Sequence, residues 1–243
     1  NKSKLVAKEK FLKFTNKFES CKKFNLKIKQ YDELEKEEKF DCAIIAIPEK
    51  YHLECLNFLV NRTSKVICVK PFTSNKTEFL EALKITKQKN IKFFIDFHKR
   101  FDPANIEFIR NASEHITNNG LFNFSYGQKA QMPLKYFKKW SKYSNPFQYL
   151  APHYIDIISQ VLKNSGVEIN DLIIDGSANF LKFEDNPDLI SLISCNLKFF
   201  NGSNFYLVNS ICNWMEPKMS PFNSRQRIEF QTKGIHLISE QDN

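Results

Sequence analysis

Short apolar runs separated by amphipathic stretches mark the first hundred residues of the chain. Three of these runs are free of glycine and rich in β-branched or aromatic residues, which predicts buried strands. They are residues 41–48 ("DCAIIAIP"), 65–69 ("KVICV") and 91–97 ("IKFFIDF"), and a shorter strand is expected at 26–28.

The stretches around these runs have the spacing of helices. Apolar side chains recur at three- and four-residue intervals over residues 8–23, which predicts an amphipathic helix. Residues 50–62 and 75–90 predict two further helices. The second of them begins with Asn75 as a candidate N-cap and carries Glu78 at the spacing of a capping box.

This alternation of strands and helices predicts βαβ units and a parallel sheet. Ligands of such sheets bind beyond the carboxyl ends of the strands. Lys70 directly follows the strand at 65–69 and is itself followed by Pro71, which fixes the backbone of the turn. The topology therefore places Lys70 at the predicted binding edge, whereas a lysine at the end of an arbitrary strand is usually a solvated charge.

The pattern changes after Pro103. Residues 104–116 predict a helix, and alternating strands dominate from Gly120 onward, with one helix expected at 146–166. Long alternating strands with hairpin-like breaks predict a large, mostly antiparallel open sheet. The chain thus divides into a predicted α/β domain, residues 1–102, and a predicted α+β domain, residues 103–243.

The composition narrows the class of protein. The 243 residues contain 42% hydrophobic residues, enough for one large or two modest cores, and no run of eighteen apolar residues that could span a membrane. The six cysteines form no C-x-x-C pair and no metal-like spacing with histidine, so we expect reduced thiols in a cytoplasmic protein and no metal site. The first residues carry no signal peptide and no starting methionine, as expected for an interior position of a longer chain.

The formal charge is +9, which leaves nucleic-acid binding as a weaker alternative function. The lysines are spread along the chain and often alternate with acidic residues, so we expect no nucleic-acid partner. "PLKYFKKW", residues 133–140, mixes aromatic and basic side chains, and is interpreted as a loop over a substrate cleft rather than a stacking surface for bases.

Glycine is scarce, and its distribution is informative. The first of the six glycines is Gly120, so no phosphate-binding glycine loop occurs in the first 119 residues. A dinucleotide would therefore find no glycine-rich amide cradle for its pyrophosphate in this part of the sequence.

Four segments in order resemble the Gfo/Idh/MocA oxidoreductases, the family of glucose–fructose oxidoreductase and inositol dehydrogenase. The strand and helix of the family resemble "DCAIIAIPEKYHLECLNFLV", and its V-x-x-E-K-P motif resembles "VICVKPF". Its G-F-x-x-R-F-D-P strand resembles "FIDFHKRFDP", and its D-x-G-x-H-x-x-D helix resembles "YLAPHYIDII". The resemblance implies a Rossmann-type cofactor domain, an α+β substrate domain, and homo-oligomers formed through the C-terminal sheet.

The resemblance also implies an activity: hydride transfer between NAD or NADP and a hydroxyl of a sugar or cyclitol. Lys70 would hydrogen-bond the reacting oxygen, and His153 would act on the same oxygen as acid or base. Tyr149, one turn before His153, would be the third catalytic residue, which donates a hydrogen bond or transfers a proton. The cofactor cleft would be lined by Ala46, Pro48, Glu49, His52, Lys70, Pro71 and Arg100. Pairing of Arg100 with Asp102 at the domain junction is the structural alternative for that arginine.

Three departures from the family pattern support a second hypothesis. One βα unit with the glycine loop is missing, Val69 stands where the motif has glutamate, and Tyr149 stands where many members have a catalytic aspartate. A catalytically inactive relative that acts as a binding or assembly module would tolerate all three changes.

Overall fold

A computed structural model describes residues 39–129, 144–184, 186–215 and 221–242 of the chain. The predicted helix at 8–23, the predicted strand at 26–28 and the predicted loop at 133–140 lie outside these residues. The described residues from Cys42 onward form one compact unit. The domain boundary at 102/103 stays a prediction.

The first half of this unit is a three-stranded parallel sheet. Its strands are β1 (Ala43–Ile45), β2 (Lys65–Val69) and β3 (Lys92–Asp96), in the order β1-β2-β3. Helix α1 (His52–Leu59) connects β1 to β2, and α2 (Lys76–Gln88) connects β2 to β3. The predicted parallel sheet is confirmed, and its three carboxyl ends meet at one edge.

The start of α2 differs in one detail from the predicted capping box. The Asn75 side chain accepts from the N–H groups of Thr77 (2.8 Å) and Glu78 (3.4 Å), so the N-cap is confirmed. The Glu78 carboxylate accepts from the Thr73 hydroxyl, and the Thr73 oxygen accepts from the Asn75 N–H at 3.0 Å. In a capping box Glu78 would accept directly from the Asn75 N–H. Here Thr73 lies between the two groups and bonds both, which links the turn after β2 to the helix.

The second half is a six-stranded sheet in the order β5-β6-β7-β4-β8-β9. Its strands are β4 (Asn119–Lys129), β5 (Ile173–Phe183), β6 (Asn186–Phe200), β7 (Phe205–Met215), β8 (Ser224–Thr232) and β9 (Ile235–Asp242). All neighbours are antiparallel except β4 and β7, which run parallel. The predicted mostly antiparallel sheet is confirmed. Its last two strands, β8 and β9, form a hairpin that turns at Gly234 (φ 78°).

Three helices accompany this sheet: α3 (Pro103–His115), α4 (Pro146–Leu150) and α5 (Pro152–Asn164). The single helix predicted over 146–166 is thus two helices. Pro152 lacks the N–H that would continue the hydrogen bonding of α4, so the chain breaks at Ala151 and starts α5 afresh.

The main core lies between α3, α5 and the inward face of the large sheet. Its largest fully buried side chains are aromatic and branched aliphatic: Phe122, Tyr206, Phe230, Leu150, Ile157, Ile158, Leu162 and Ile228. This packing holds the first turn of α5 against the rest of the unit. The position of any side chain on that turn is therefore set by the core.

No helix among the described residues is long and apolar enough to cross a membrane. Every cysteine in the described part of the chain is a free thiol, with Cys68, Cys195 and Cys212 buried, Cys55 half-buried and Cys42 exposed.

Candidate active site

Lys70 lies at the carboxyl end of β2, where its side chain turns inward. Its Nζ donates a hydrogen bond to the main-chain carbonyl of Tyr149 and lies 3.8 Å from the centre of the Tyr149 ring. The peptide bond that follows, Lys70–Pro71, is cis. The contacts with Tyr149 bring the end of the parallel sheet next to α4.

The surroundings of Lys70 favour its neutral form. Burial, helped by the nearby Lys99 ammonium, lowers the pKa of Lys70 to about 8, and Glu49 and Cys212 oppose the shift only in part. An amine with a pKa of about 8 is partly deprotonated near neutral pH, whereas an exposed lysine with the ordinary pKa of 10.5 is almost entirely protonated there. Lys70 is therefore equipped to give or take a proton as well as to carry charge.

His153 is the second residue of α5 and is only 2% exposed. Burial, together with Lys70 and His98, lowers the pKa of its imidazole to about 2, so the ring is neutral at physiological pH. Its Nδ1 is buried and makes no hydrogen bond with any described residue. Such an orphaned polar atom costs free energy unless a ligand or water satisfies it.

His98 packs against His153, whereas the resemblance implies only that the segment holding His98 and Arg100 lines the cofactor cleft. The two ring centres are 4.6 Å apart, with the rings at 69°. Burial lowers the pKa of His98, with Asp96 opposing the shift. The sequence held one signal, since His98 follows directly on the strand that leads to the binding edge.

Tyr149 lies on α4 between Lys70 and the large sheet. Its ring centre is 5.6 Å from that of Trp214, near the end of β7, and burial raises the pKa of its phenol, with Glu49 adding to the shift. No local spacing connects Trp214 with this site, because β7 reaches α4 only through the tertiary fold.

The turn after β1 supplies the other side of the edge. Ala46 and Pro48 are exposed there, and Glu49 is half-buried at the start of a short 3₁₀ turn, Glu49–Tyr51. Pro71 is buried in the neighbouring turn after β2. These four predicted cofactor residues thus surround the same edge as Lys70.

His52 does not face this edge. It is 1% exposed, and its ring nitrogens lie 2.8 Å (Nδ1) and 2.7 Å (Nε2) from the main-chain oxygens of Phe72 and Ile47. The predicted contact of His52 with a cofactor has no exposed surface on which to occur, because the ring is buried between two turns and both of its nitrogens contact main-chain oxygens.

Arg100 is also engaged elsewhere. It forms a bidentate ion pair with Asp156 of α5, with Nε 2.8 Å from one carboxylate oxygen and the guanidinium bonded to the other. Asp102, the predicted structural partner, instead caps α3 by accepting from the Ala104 N–H at 3.1 Å. The pairing of Arg100 with Asp102 is therefore wrong. Arg100 instead links the segment after β3 to α5 through Asp156.

The described residues fit the reacting end of a nicotinamide cofactor. A protonatable amine, a neutral imidazole with an unsatisfied buried Nδ1 and an exposed turn all lie at one edge of a parallel sheet. They offer no glycine-rich cradle for the pyrophosphate, because every glycine follows residue 119. Among the described residues, no cluster of three or more metal-ligating side chains is present.

Comparisons with known proteins agree with this geometry. Residues 6–97 match the model of the Gfo/Idh/MocA family, described as an oxidoreductase family with an NAD-binding Rossmann fold. An uncharacterized oxidoreductase of Schizosaccharomyces pombe is 28% identical over 117 residues, which are 47% of this chain and 31% of that protein.

Solved structures extend the likeness in fold to the second half. A scyllo-inositol dehydrogenase from Lactobacillus casei, solved with NAD(H) and scyllo-inositol, is 16% identical, with a TM-score of 0.64 over 82% of this chain and 57% of that one. The WlbA dehydrogenase from Thermus thermophilus, solved with NAD and α-ketoglutarate, is 11% identical, with a TM-score of 0.61 over 82% of this chain and 60% of that one.

The chain spans about a third of its curated relative's length and under two thirds of the length of these solved structures. The predicted resemblance to the Gfo/Idh/MocA oxidoreductases is confirmed, by the family model over residues 6–97 and by the shared fold of both sheets.

Proposed function

We propose that this chain carries the catalytic residues of an NAD- or NADP-dependent oxidoreductase that acts on a hydroxyl group of a sugar or cyclitol. The observation that carries the proposal is the placement of His153 at the carboxyl edge of the parallel sheet, where its ring packs against His98 and the Lys70 ammonium helps to keep it neutral. Its buried Nδ1 makes no hydrogen bond with any described residue. The match to a family of NAD-binding proteins supports the proposal, as do the inositol and NAD(H) named for a neighbour of the same fold.

The bound nicotinamide would supply hydride transfer, and the protein would hold it with the turn that contains Ala46, Pro48 and Glu49 and with Pro71. Lys70 would donate a hydrogen bond to the reacting oxygen and stabilise the negative charge that develops there. Because burial lowers its pKa to about 8, Lys70 can also exchange the hydroxyl proton near neutral pH. His153, neutral and oriented by α5, would contact the same oxygen.

Tyr149 would position Lys70 rather than act as the acid. Burial raises the pKa of its phenol above the ordinary value, which makes proton loss near neutral pH unfavourable. Its carbonyl and ring instead fix the ammonium, in place of the aspartate that many relatives have. Val69 leaves Lys70 without the neighbouring motif carboxylate, and Glu49 is the acidic group that influences it.

The test is Lys70→Ala in the full-length protein. We expect turnover with NAD or NADP and a panel of inositols and sugars to fall by two orders of magnitude or more, with an unchanged fold by circular dichroism. Lys65→Ala, at the exposed opposite end of the same strand, is the matched control and should keep full activity. Undiminished turnover of Lys70→Ala would refute the assignment.

A binding or assembly module without catalysis is the second candidate. It is favoured by one observation, the engagement of Lys70 Nζ by Tyr149 where relatives place a carboxylate. Calorimetric titration with NADH and NADPH separates the two candidates. Micromolar affinity together with turnover of any polyol supports the enzyme, whereas a silent titration supports the module.

Self-association through the large sheet belongs to the same proposal. The helices cover one face of this sheet, and side chains such as Phe205, Ile211 and Ile238 remain exposed elsewhere on it. We expect sedimentation equilibrium to show a dimer or larger oligomer, and Ile211→Asp to shift it toward the monomer. A wild-type monomer at micromolar concentration would contradict this.

A further inference from the structure

The two turns that flank the candidate active site are joined by one buried side chain, His52. The turn after β1 contributes the Ile47 carbonyl, 2.7 Å from Nε2, and the turn after β2 contributes the Phe72 carbonyl, 2.8 Å from Nδ1. The first turn continues into Pro48 and Glu49, and the second begins with Lys70 and Pro71. The imidazole therefore bridges the segments that carry opposite sides of the site.

We propose that His52 is a positioning residue, which donates hydrogen bonds to both carbonyls and thereby holds Lys70 in its buried place against Tyr149. This inference rests on the proposed function only in taking Lys70 as the functional lysine. His52 touches neither Lys70 nor the edge, so it acts through the backbone of the second turn.

The chemistry of the two contacts is restrictive. A carbonyl oxygen only accepts hydrogen bonds, so both contacts are favourable only when each ring nitrogen carries a proton. A ring with one proton would bond one carbonyl and hold a lone pair against the other. Each ring N–H that donates to a carbonyl oxygen satisfies two polar groups that the near-complete burial of His52 would otherwise leave unpaired.

The surroundings of His52 are consistent with a rigid link. The Cys68 sulfur lies 3.3 Å from Nδ1, the Phe72 ring centre is 5.9 Å from that of His52, and the Phe72 ring meets Phe93 edge-on at 5.2 Å. Phe72 is thus held through both its carbonyl and its ring. Because Lys70 lies two residues before Phe72, fixing Phe72 also restricts the backbone position of Lys70.

Packing alone is the competing explanation, in which any ring of similar size would serve. His52→Phe separates the two explanations, because it keeps a ring and removes both donors. His115→Phe is the matched control, since His115 is exposed at the end of α3 and its ring contacts the Asn111 carbonyl of its own helix.

The readout is the pKa of Lys70, followed by NMR of the protein labelled with ¹³C-lysine and assigned through Lys70→Met. It needs neither cofactor nor substrate, so it can fail or succeed independently of the activity tests. We expect a Lys70 pKa near 8 in the wild type and in His115→Phe, and a rise toward the ordinary 10.5 in His52→Phe as the loosened turn lets water reach the amine. An unchanged Lys70 pKa in folded His52→Phe would overturn the proposal.

A second measurement covers the case in which His52→Phe does not fold. In wild-type protein labelled with ¹⁵N-histidine, both ring nitrogens of His52 should show one-bond couplings to attached protons. A single coupled nitrogen would rule out the two-bond link. His52→Asn, which keeps a donor for one carbonyl, should then fold and show an intermediate Lys70 pKa, and a wild-type value in this variant would count against positioning.

Discussion

Two histidines are almost equally buried in this molecule, yet their surroundings are opposite. His52 is 1% exposed and places both ring nitrogens on backbone carbonyls, whereas His153 is 2% exposed and has a buried Nδ1 without a hydrogen bond among the described residues. Since burying an unsatisfied polar atom is unfavourable, the fold tolerates at His153 what it avoids at His52. Burial thus does not distinguish these two histidines, and hydrogen bonding does.

The two positions also differ in what surrounds them electrostatically. His153 lies close to Lys70, His98 and Lys99, all of which disfavour a positive charge on its ring. Concentrating cationic groups in one place is costly for stability and useful for an enzyme that must stabilise a developing oxyanion. The region around His153 is therefore where we expect activity and stability to conflict.

The largest effect that would break this comparison is the loss of activity in His153→Asn. We expect turnover to fall by about 10²- to 10⁴-fold, the usual contribution of an acid–base group, while the midpoint of urea unfolding stays equal or rises. His115→Asn serves as the control and should retain activity. A His153→Asn protein that is strongly destabilised but fully active would make this histidine structural.

The pH dependence of stability gives a second, smaller contrast. In the unfolded chain His153 becomes protonated as the pH falls below 6.5, its ordinary pKa. In the folded protein the pKa of His153 is about 2, so the unfolded state binds more protons between these two pH values. This contribution therefore makes the protein less stable as the pH falls from 6.5. The difference in unfolding free energy between wild type and His153→Asn should vary with pH below 6.5 and flatten above it. A constant difference would contradict the lowered pKa.

The smallest expected effect lies at Thr73, in the turn that His52 holds from its other side. Thr73→Val removes the relay between Asn75 and Glu78 at the start of α2, which should cost about 1 kcal/mol of unfolding free energy, as for a lost helix cap. The pKa of Lys70 should not change, because the bond from His52 to Phe72 remains. A Lys70 pKa that moved in Thr73→Val would show that the helix cap, rather than His52, positions the lysine.

Much of the architecture could be predicted from local patterns. The β-branched runs at 65–69 and 91–97 form strands because such residues suit a buried pleated surface, and their spacing with two helices leaves a parallel sheet as the outcome. The position of Lys70 at the carboxyl edge follows from that order alone. The break at Ala151 also has a local cause, since Pro152 cannot continue the hydrogen bonding of α4, although a single helix was predicted over 146–166.

The contacts within the site could not be predicted in this way. Lys70 and Tyr149 are 79 residues apart, and Arg100 and Asp156 are 56 apart, so no local spacing relates them. The resemblance implied a place for His52 in the cofactor cleft, because His52 matches a family residue of that cleft. Only the fold shows that the ring points between two turns and not toward the edge.

The sequence by itself determined which residue types reach the binding edge, because strand order and chain direction decide which turns lie there. The tertiary structure decided what each of them can do. Proton affinity depends on burial and on neighbouring charges, and hydrogen-bond satisfaction depends on partners brought together by packing. For that reason Lys70 and His153 acquire their altered pKa values only when both halves of the described unit have assembled. His52 acquires its two carbonyls only when the turns after β1 and β2 come together.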